Sequence, residues 1–296
     1  MPLVTAKDLL GHADRNGYVI CAFDVPGVEP AQAILHAAEA EKAPVILSVS
    51  TSQDLELLLP GIEAAARRAV VPAVLHCEGA RSVVEAVRAI NLGCNSIASD
   101  DCDTAIAKVT ESCGVACTDL ANGPIQRHRG LAETAVEQLR AGSSAVTYSD
   151  LMLRAQAAVR EEAERALRRS AAGGRADGAL AASARWNNIE HCILYNVQRD
   201  KDENRAVTAM MADGRKLLSR IPGVREVVTG MSVTPDSRYR YCWIVRFAHP
   251  AVINSYRDHP DHVAFADGTF RPIADDRISI DFQSESDQHS VVERGS

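Results

Sequence analysis

Two stretches of this chain group side chains that can move protons or hold metals. Residues 256–265 read Tyr-Arg-Asp-His-Pro-Asp-His-Val-Ala-Phe and set Tyr256, His259 and His262 close together. A neutral imidazole, with an ordinary pKa of about 6.5, acts as a base at neutral pH. A tyrosine hydroxyl can hold the oxyanion that such a base creates. The pair permits proton abstraction from an acidic phenol or enol. The other stretch is Leu75-His76-Cys77-Glu78-Gly79-Ala80. His76, Cys77 and Glu78 are ligand types, but neighbours along a strand alternate in direction and cannot all face one ion. A zinc site needs three or four N, S or O ligands, so no metal is expected here.

Strand parity says which other side chains could meet the pair. Ile189, His191, Ile193 and Tyr195 share one strand face, and Tyr239, Tyr241, Trp243 and Val245 share another. If these are inner faces, they line a cavity suited to a flat aromatic ligand, with a few polar groups to orient it. Each residue also has a plainer reading. His259, just before Pro260, suits a cap on helix carbonyls. His262 stands open between base and structural residue, and His191 between cavity residue and satisfied core histidine. Trp243 reads as wall. His128, between Arg127 and Arg129, reads as an exposed turn without a role.

The elements that position these residues differ between the two halves. The first half alternates strands (18–25, 44–49, 71–76, 96–99, 115–120, 144–148) with helices (29–42, 55–69, 82–91, 104–112, 130–140, 150–169). Repeated β-α-β units imply parallel strands and an α/β layer or barrel. About 170 residues fall short of the ~250 of a full barrel, so a shortened TIM-barrel-like domain, open or rearranged, is expected. Residues 170–184, rich in Gly, Ala and Ser without apolar period, read as a linker. The second half runs strand (189–197), helix (203–220), strands (227–233 and 240–247), helix (250–257) and strand (277–282). This is the α+β ferredoxin-like order, with helices on one face of an antiparallel sheet. The expected division is 1–169, linker 170–184, 185–283 and a disordered tail, 284–296. A second subunit is the expected cover for the open sheet face.

Composition narrows the partners. Hydrophobic residues make up 46% and charged residues 24% of the 296 positions, and the net charge is −7. That charge argues against nucleic acid or an anionic membrane surface, both of which call for clustered Lys and Arg. No signal peptide or membrane-spanning run is evident, and the scattered cysteines read as buried thiols, so a cytoplasmic location is expected.

Several N-terminal blocks resemble class II fructose- and tagatose-bisphosphate aldolases: Pro2-Leu3-Val4-Thr5, Asn16-Gly17-Tyr18, Ala22-Phe23-Asp24-Val25, Gln32-Ala33-Ile34-Leu35 and Ala43-Pro44-Val45-Ile46-Leu47. Those enzymes are metal-dependent barrels. Their third strand ends in a Leu-His-Leu-Asp-His-Gly type motif, in which the Asp is the acid/base and the second His a metal ligand. The resemblance puts Glu78 at the Asp and Gly79 at the metal His. Glu78 and Asp24 stay as secondary candidates for a pocket wall, in a domain that is not a functional metal-dependent aldolase.

The second half resembles the stress-responsive dimeric α/β-barrel family. The matching residues are Ile189-Glu190-His191-Cys192-Ile193-Leu194-Tyr195, the corner Ile221-Pro222-Gly223-Val224, and the Tyr-x-x-His-Pro-x-His-x-x-Phe run from Tyr256 to Phe265. The family includes polyketide cyclases. The resemblance implies Tyr256 and His262 as catalytic residues and His191 as the cavity histidine, with Tyr195, Tyr241, Trp243, Ile193, Phe265 and His259 toward the substrate. The pairing of the two halves resembles the oxygenases that open the B ring of angucyclines in the gilvocarcin, jadomycin and kinamycin pathways. It implies oxidative C–C cleavage of an aromatic polyketide quinol in a homodimer. No cofactor would be tightly bound, O2 would be cosubstrate, and reduced flavin (FADH2 or FMNH2) would come from outside, for example from a flavin reductase. A polyketide cyclase or aldol-type lyase, and a non-catalytic binding or assembly protein, are the alternatives.

Overall fold

The computed structural model describes residues 3–98, 104–118, 124–130, 148–197 and 203–283. The helix expected over 130–140 and the tail after 283 lie outside the described residues. So does most of the strand expected at 144–148; Tyr148 itself opens a helix.

The β-branched runs of the first half form β1 (Ile20–Asp24), β2 (Val45–Ser50), β3 (Ala73–Glu78), β4 (Ser96–Ile97), β5 (Ala116–Cys117) and β6 (Ile125–His128). They make one parallel sheet in the order β5-β4-β3-β2-β1-β6. β1 to β3 are buried almost throughout, which is why they read as continuous apolar runs rather than alternating ones. The helices are α1 (Ala6–Arg15), α2 (Val28–Ala40), α3 (Leu55–Arg68), α4 (Val83–Leu92), α5 (Thr104–Ser112) and α6 (Tyr148–Arg169). Asp54 and Ser82 cap α3 and α4 by accepting the amides of Leu57 and Glu85. Among the described residues no pairing joins β5 to β6, and the sheet is open at those two strands.

The stretch expected as a linker is structured. It carries α7 (Ala176–Ala182), and its Ala172, Ala176 and Ala179 are buried. The amides of Gly174 and Ala176 donate to the carbonyls of Glu41 and Lys42. Small residues were a packing signal here, because α7 lies close against α1: Gly178 faces the ring of His12.

The second half folds as β7 (Ile189–Val197), α8 (Glu203–Leu218), β8 (Val224–Met231), β9 (Tyr241–Phe247), α9 (Val252–Arg257), α10 (Pro260–Phe265), a π-helical turn (Ala266–Phe270) and β10 (Ala274–Gln283). The strand order β10-β7-β9-β8 is antiparallel throughout, as the ferredoxin-like pattern requires. Gly223 makes the turn into β8 at φ +82°, where an added Cβ would meet Val252 at 2.4 Å, so the corner needs glycine twice over. The halves are locked together. Arg225 donates to Glu63 at 2.6 Å, Gly223 donates to Asn91 at 2.8 Å, and the amide of Trp186, whose ring stacks on His249, donates to the carbonyl of Leu3 at 2.8 Å.

Candidate active site

Tyr256 sits near the end of α9 and His262 in the first turns of α10, so the His259-Pro260 break between the helices folds one side chain back on the other. Their ring centres lie 4.4 Å apart. Nδ1 of His262 is 2.9 Å from the carbonyl of Arg257. A carbonyl only accepts, so Nδ1 carries the proton and Nε2 is the basic nitrogen. Burial holds His262 below the ordinary imidazole pKa, aided by the charges of His191 and Arg271. Burial also pushes the Tyr256 hydroxyl well above the usual phenol range, so it stays protonated as a donor. A neutral base and a protonated phenol side by side are the two states general acid–base work requires.

His191 completes the group from β7. Its ring lies 6.2 Å from Tyr256 and 5.8 Å from Phe247. Its Nδ1 is 2.6 Å from Oδ1 of Asp281, which stands directly opposite on β10. The carboxylate fixes this imidazole with Nδ1 protonated. Asp281 was missed in the sequence because its partner depends on the register of β10 against β7, which no local pattern states.

The remaining candidates divide. Ile193, Trp243 and Phe265 line the same cavity as Tyr256 and His262, together with Leu218, Val245 and Phe270. Tyr195 and Tyr241 are buried on the same inner face, further along, with rings 5.6 Å apart. Tyr239 precedes β9, and Arg238 stacks over its ring instead. His259 turns away. Its Nδ1 accepts the amide of Asp261 and caps α10, a helix N-terminus rather than the carbonyls expected. The cavity also departs from expectation. It leaves only about 30 Å³, on the order of one water. The cause is close packing of α8, where Gly214 lets Trp243 and Phe265 approach to distances that a Cβ would forbid (2.4 and 2.5 Å).

Glu78 and Asp24 lie elsewhere, at the C-terminal edge of the parallel sheet, in a separate cleft of about 180 Å³ with Ser48 and Ser50. Glu78 accepts Ser48 Oγ at 3.0 Å and pairs with Arg127, with Arg129 at 3.8 Å. His128 is not in an exposed turn: it lies on β6 and stacks against Phe23 at 4.9 Å. The polar stretch 125–128 hid both the strand and its arginine.

Two family models match separate parts of the chain. Residues 4–113 match the family model Fructose-bisphosphate aldolase class-II, and residues 189–284 match the Stress responsive A/B Barrel Domain. A probable fructose-bisphosphate aldolase of Bacillus subtilis is 33% identical over 107 residues, 34% of this chain and 38% of that protein. A sulfofructosephosphate aldolase of Alkalicoccus urumqiensis is 31% identical over 104 residues, 34% of this chain and 36% of that protein. The chain thus spans well under half the length of these curated relatives. A solved dabb family protein with a ferredoxin-like fold from Mesorhizobium loti is 26% identical with a TM-score of 0.31, covering 34% of this chain and 99% of that one. The N-terminal region is similar to class II aldolases, and the C-terminal region is similar to the stress-responsive A/B barrel domain.

The aldolase likeness implies a divalent metal, and the residues here do not fit one. Gly79 offers no ligand and sits at φ +76°, a conformation that favours glycine over the histidine of the motif. Nδ1 of buried His76 is 2.9 Å from Ser96 Oγ, and Glu78 is engaged by arginine. Among the described residues no group of three or more His, Cys, Asp and Glu could hold a metal ion. Nor, among the described residues, is any helix long and apolar enough to cross a membrane.

Proposed function

We propose that the C-terminal domain deprotonates a polycyclic aromatic polyketide quinol, and that the resulting anion reacts with O2 toward oxidative C–C cleavage of the angucycline B-ring type. The observation that carries this reading is the Tyr256–His262 pair, with Nδ1 of His262 committed to a carbonyl and Nε2 basic. His262 takes the phenolic proton. Tyr256, held protonated, donates to the oxygen on which charge develops. His191, fixed by Asp281, stands beside Tyr256 as a second imidazole for the proton. The electron-rich anion supplies the electrons that O2 accepts. Reduced flavin delivered from outside by a separate reductase returns any quinone to the quinol. No step needs the cleft around Glu78, which serves as scaffold.

Oxygen uptake by the purified protein with a reduced angucyclinone tests the proposal. Uptake matched to ring cleavage is expected. Turnover of the same substrate under strict anaerobiosis would overturn the oxygenase and leave a cyclase or aldol-type lyase working with the same pair. His262→Ala and Tyr256→Phe should each lower kcat by roughly 10²- to 10⁴-fold with the fold retained. Wild-type rates in both would remove the pair from the chemistry and favour a binding or assembly role.

A further inference from the structure

The inner cavity is nearly full, but a recess of about 700 Å³ opens at the other end of the same sheet, beneath the hairpin between β8 and β9. Polar side chains of Asn196, Ser232, Arg238 and Asp275 line it, and Tyr241 forms its aromatic wall. From that wall inward runs an unusual row. Among the described residues, the hydroxyls of Tyr241 and Tyr195 and the indole N–H of Trp243 are buried without a hydrogen-bond partner. The three residues are 4%, 0% and 2% exposed. Native proteins leave few such groups unpaired, because burial strips them of water without return. Three in contact need a common explanation. They are neighbours: the tyrosine rings lie 5.6 Å apart, and strand register puts Trp243 two residues along β9 from Tyr241, diagonal to Tyr195. Trp243 is also a wall of the cavity that holds Tyr256 and His262. The row therefore joins the recess to the acid–base pair.

Its length and chemistry define a ligand. From His191 to Tyr195 is four steps along β7, roughly 13 Å, on the scale of a few fused rings. Donors set along one edge of that path match a ligand whose matching edge carries acceptor oxygens. An unsubstituted arene would fill the path and leave the donors unmet. The π-helical turn Ala266–Phe270 packs against this path. It carries Phe270, which packs edge-on to Tyr195 at 5.0 Å. Single π turns are rare and recur at functional sites.

We infer that Tyr241, Tyr195 and Trp243 form an oxygen-reading row for a fused aromatic ligand that bears carbonyl or phenolic oxygens along one edge and enters through the recess beneath the β8–β9 hairpin. The inference rests on the proposed role of Tyr256 and His262, because it is their substrate that the row would orient. It is tested by binding alone, so its failure and theirs are separable.

The experiment titrates full-length protein anaerobically by calorimetry with two probes that differ only in two ring carbonyls, anthraquinone-2-sulfonate and anthracene-2-sulfonate. The quinone carries one carbonyl on each long edge, so either orientation offers the row an acceptor, and it should bind about tenfold more tightly, the worth of about one net hydrogen bond. Tyr195→Phe combined with Tyr241→Phe should erase most of that preference and leave the affinity for the anthracene unchanged. Equal affinities in the wild type, or a preference that survives the double substitution, would overturn the inference. Thermal melts supply an independent arm. Removing unpartnered hydroxyls should leave stability at or above wild type, whereas a clear loss would mean that the hydroxyls are already satisfied within the fold. Selective quinone binding without turnover would support the row and count against the proposed reaction.

Discussion

Single residues set the chemistry through the state in which the fold holds them. His262 is active as a neutral base, and burial keeps its pKa below the ordinary 6.5. The proton that inactivates it is therefore taken up only below that pH. The acid limb of kcat/KM for the proposed quinol reaction should have its midpoint under pH 6.5, and a midpoint above it would assign the limb to another group. The same shift bears on stability. An unfolded chain protonates its histidine near 6.5 while the fold resists, so this contribution is present above pH 6.5 and is lost as pH falls toward the lowered value. Asp281 acts differently, through His191. Asp281→Asn keeps the shape and removes the charge that fixes the imidazole, and should lower kcat about tenfold or more with little change in KM. His191→Asn should then lose no further activity when combined with it. Additive losses in the double variant would show that Asp281 does not work through His191.

Secondary-structure elements decide how tightly that chemistry is enclosed. Gly214 lies inside α8, where glycine is disfavoured by about 1 kcal/mol relative to alanine. It is there because Trp243 and Phe265 occupy the space of a side chain. Gly214→Ala should therefore destabilise by about 1–2 kcal/mol, overpacking outweighing helix propensity. A urea midpoint that rises instead would mean that the aromatic pair can retreat at little expense. The order of elements from β7 to β10 was legible in the sequence because apolar period and the Ile-Pro-Gly-Val corner are local signals. The inner face of Ile193, Tyr195, Tyr241 and Trp243 followed from strand parity. Five elements were not legible, among them α10 and the π-helical turn, which follow the helix expected at 250–257. α1 went unread among the blocks of resemblance, α7 was masked by small residues that resemble a linker, and the polar β6 pairs with β1 a hundred residues away. His259 was readable as a cap, but which helix it caps depends on the backbone turn at Pro260. The fullness of the cavity was also out of reach, because it is set by how closely α8 approaches the sheet. The contact between the halves makes a further prediction at this scale. Burial alone would raise the pKa of Glu63, but Arg225 and Arg67 hold its carboxyl below the usual value. Glu63→Ala strands two guanidiniums and should cost about 3–5 kcal/mol. A loss under 1 kcal/mol, read from urea unfolding, would mean that the halves are held by packing around Trp186 alone.

At the scale of the whole molecule, the C-terminal sheet has one face covered by α8, α9 and α10 and the other open. Residues alternating with the buried aromatic row point outward: Leu194, Val228, Ile278, Ile280 and Phe282 are 39–51% exposed. Registry places them side by side, Ile278 against Leu194 and Ile280 against Cys192 on one flank, Val228 against Ile244 on the other. Arg246, paired with Glu190 and Glu226, marks one end of the patch with charge. An apolar sheet face with a charged border is unfavourable in water and suits a self-complementary contact, in which each copy buries the same residues of the other. The central strands β1 to β3 of the N-terminal sheet need no such cover, since they are already buried. The chain should therefore be a homodimer joined through β7, β9 and β10 at concentrations on the order of 10 µM. Ile280→Lys and Phe282→Arg place charges in the centre and at the edge of that face without touching Tyr256 or His262. Ile280→Lys should give monomers by light scattering on a sizing column, and Phe282→Arg a weakened dimer. A wild-type monomer at that concentration, or a dimer indifferent to Ile280→Lys, would mean that this face is not where two copies meet.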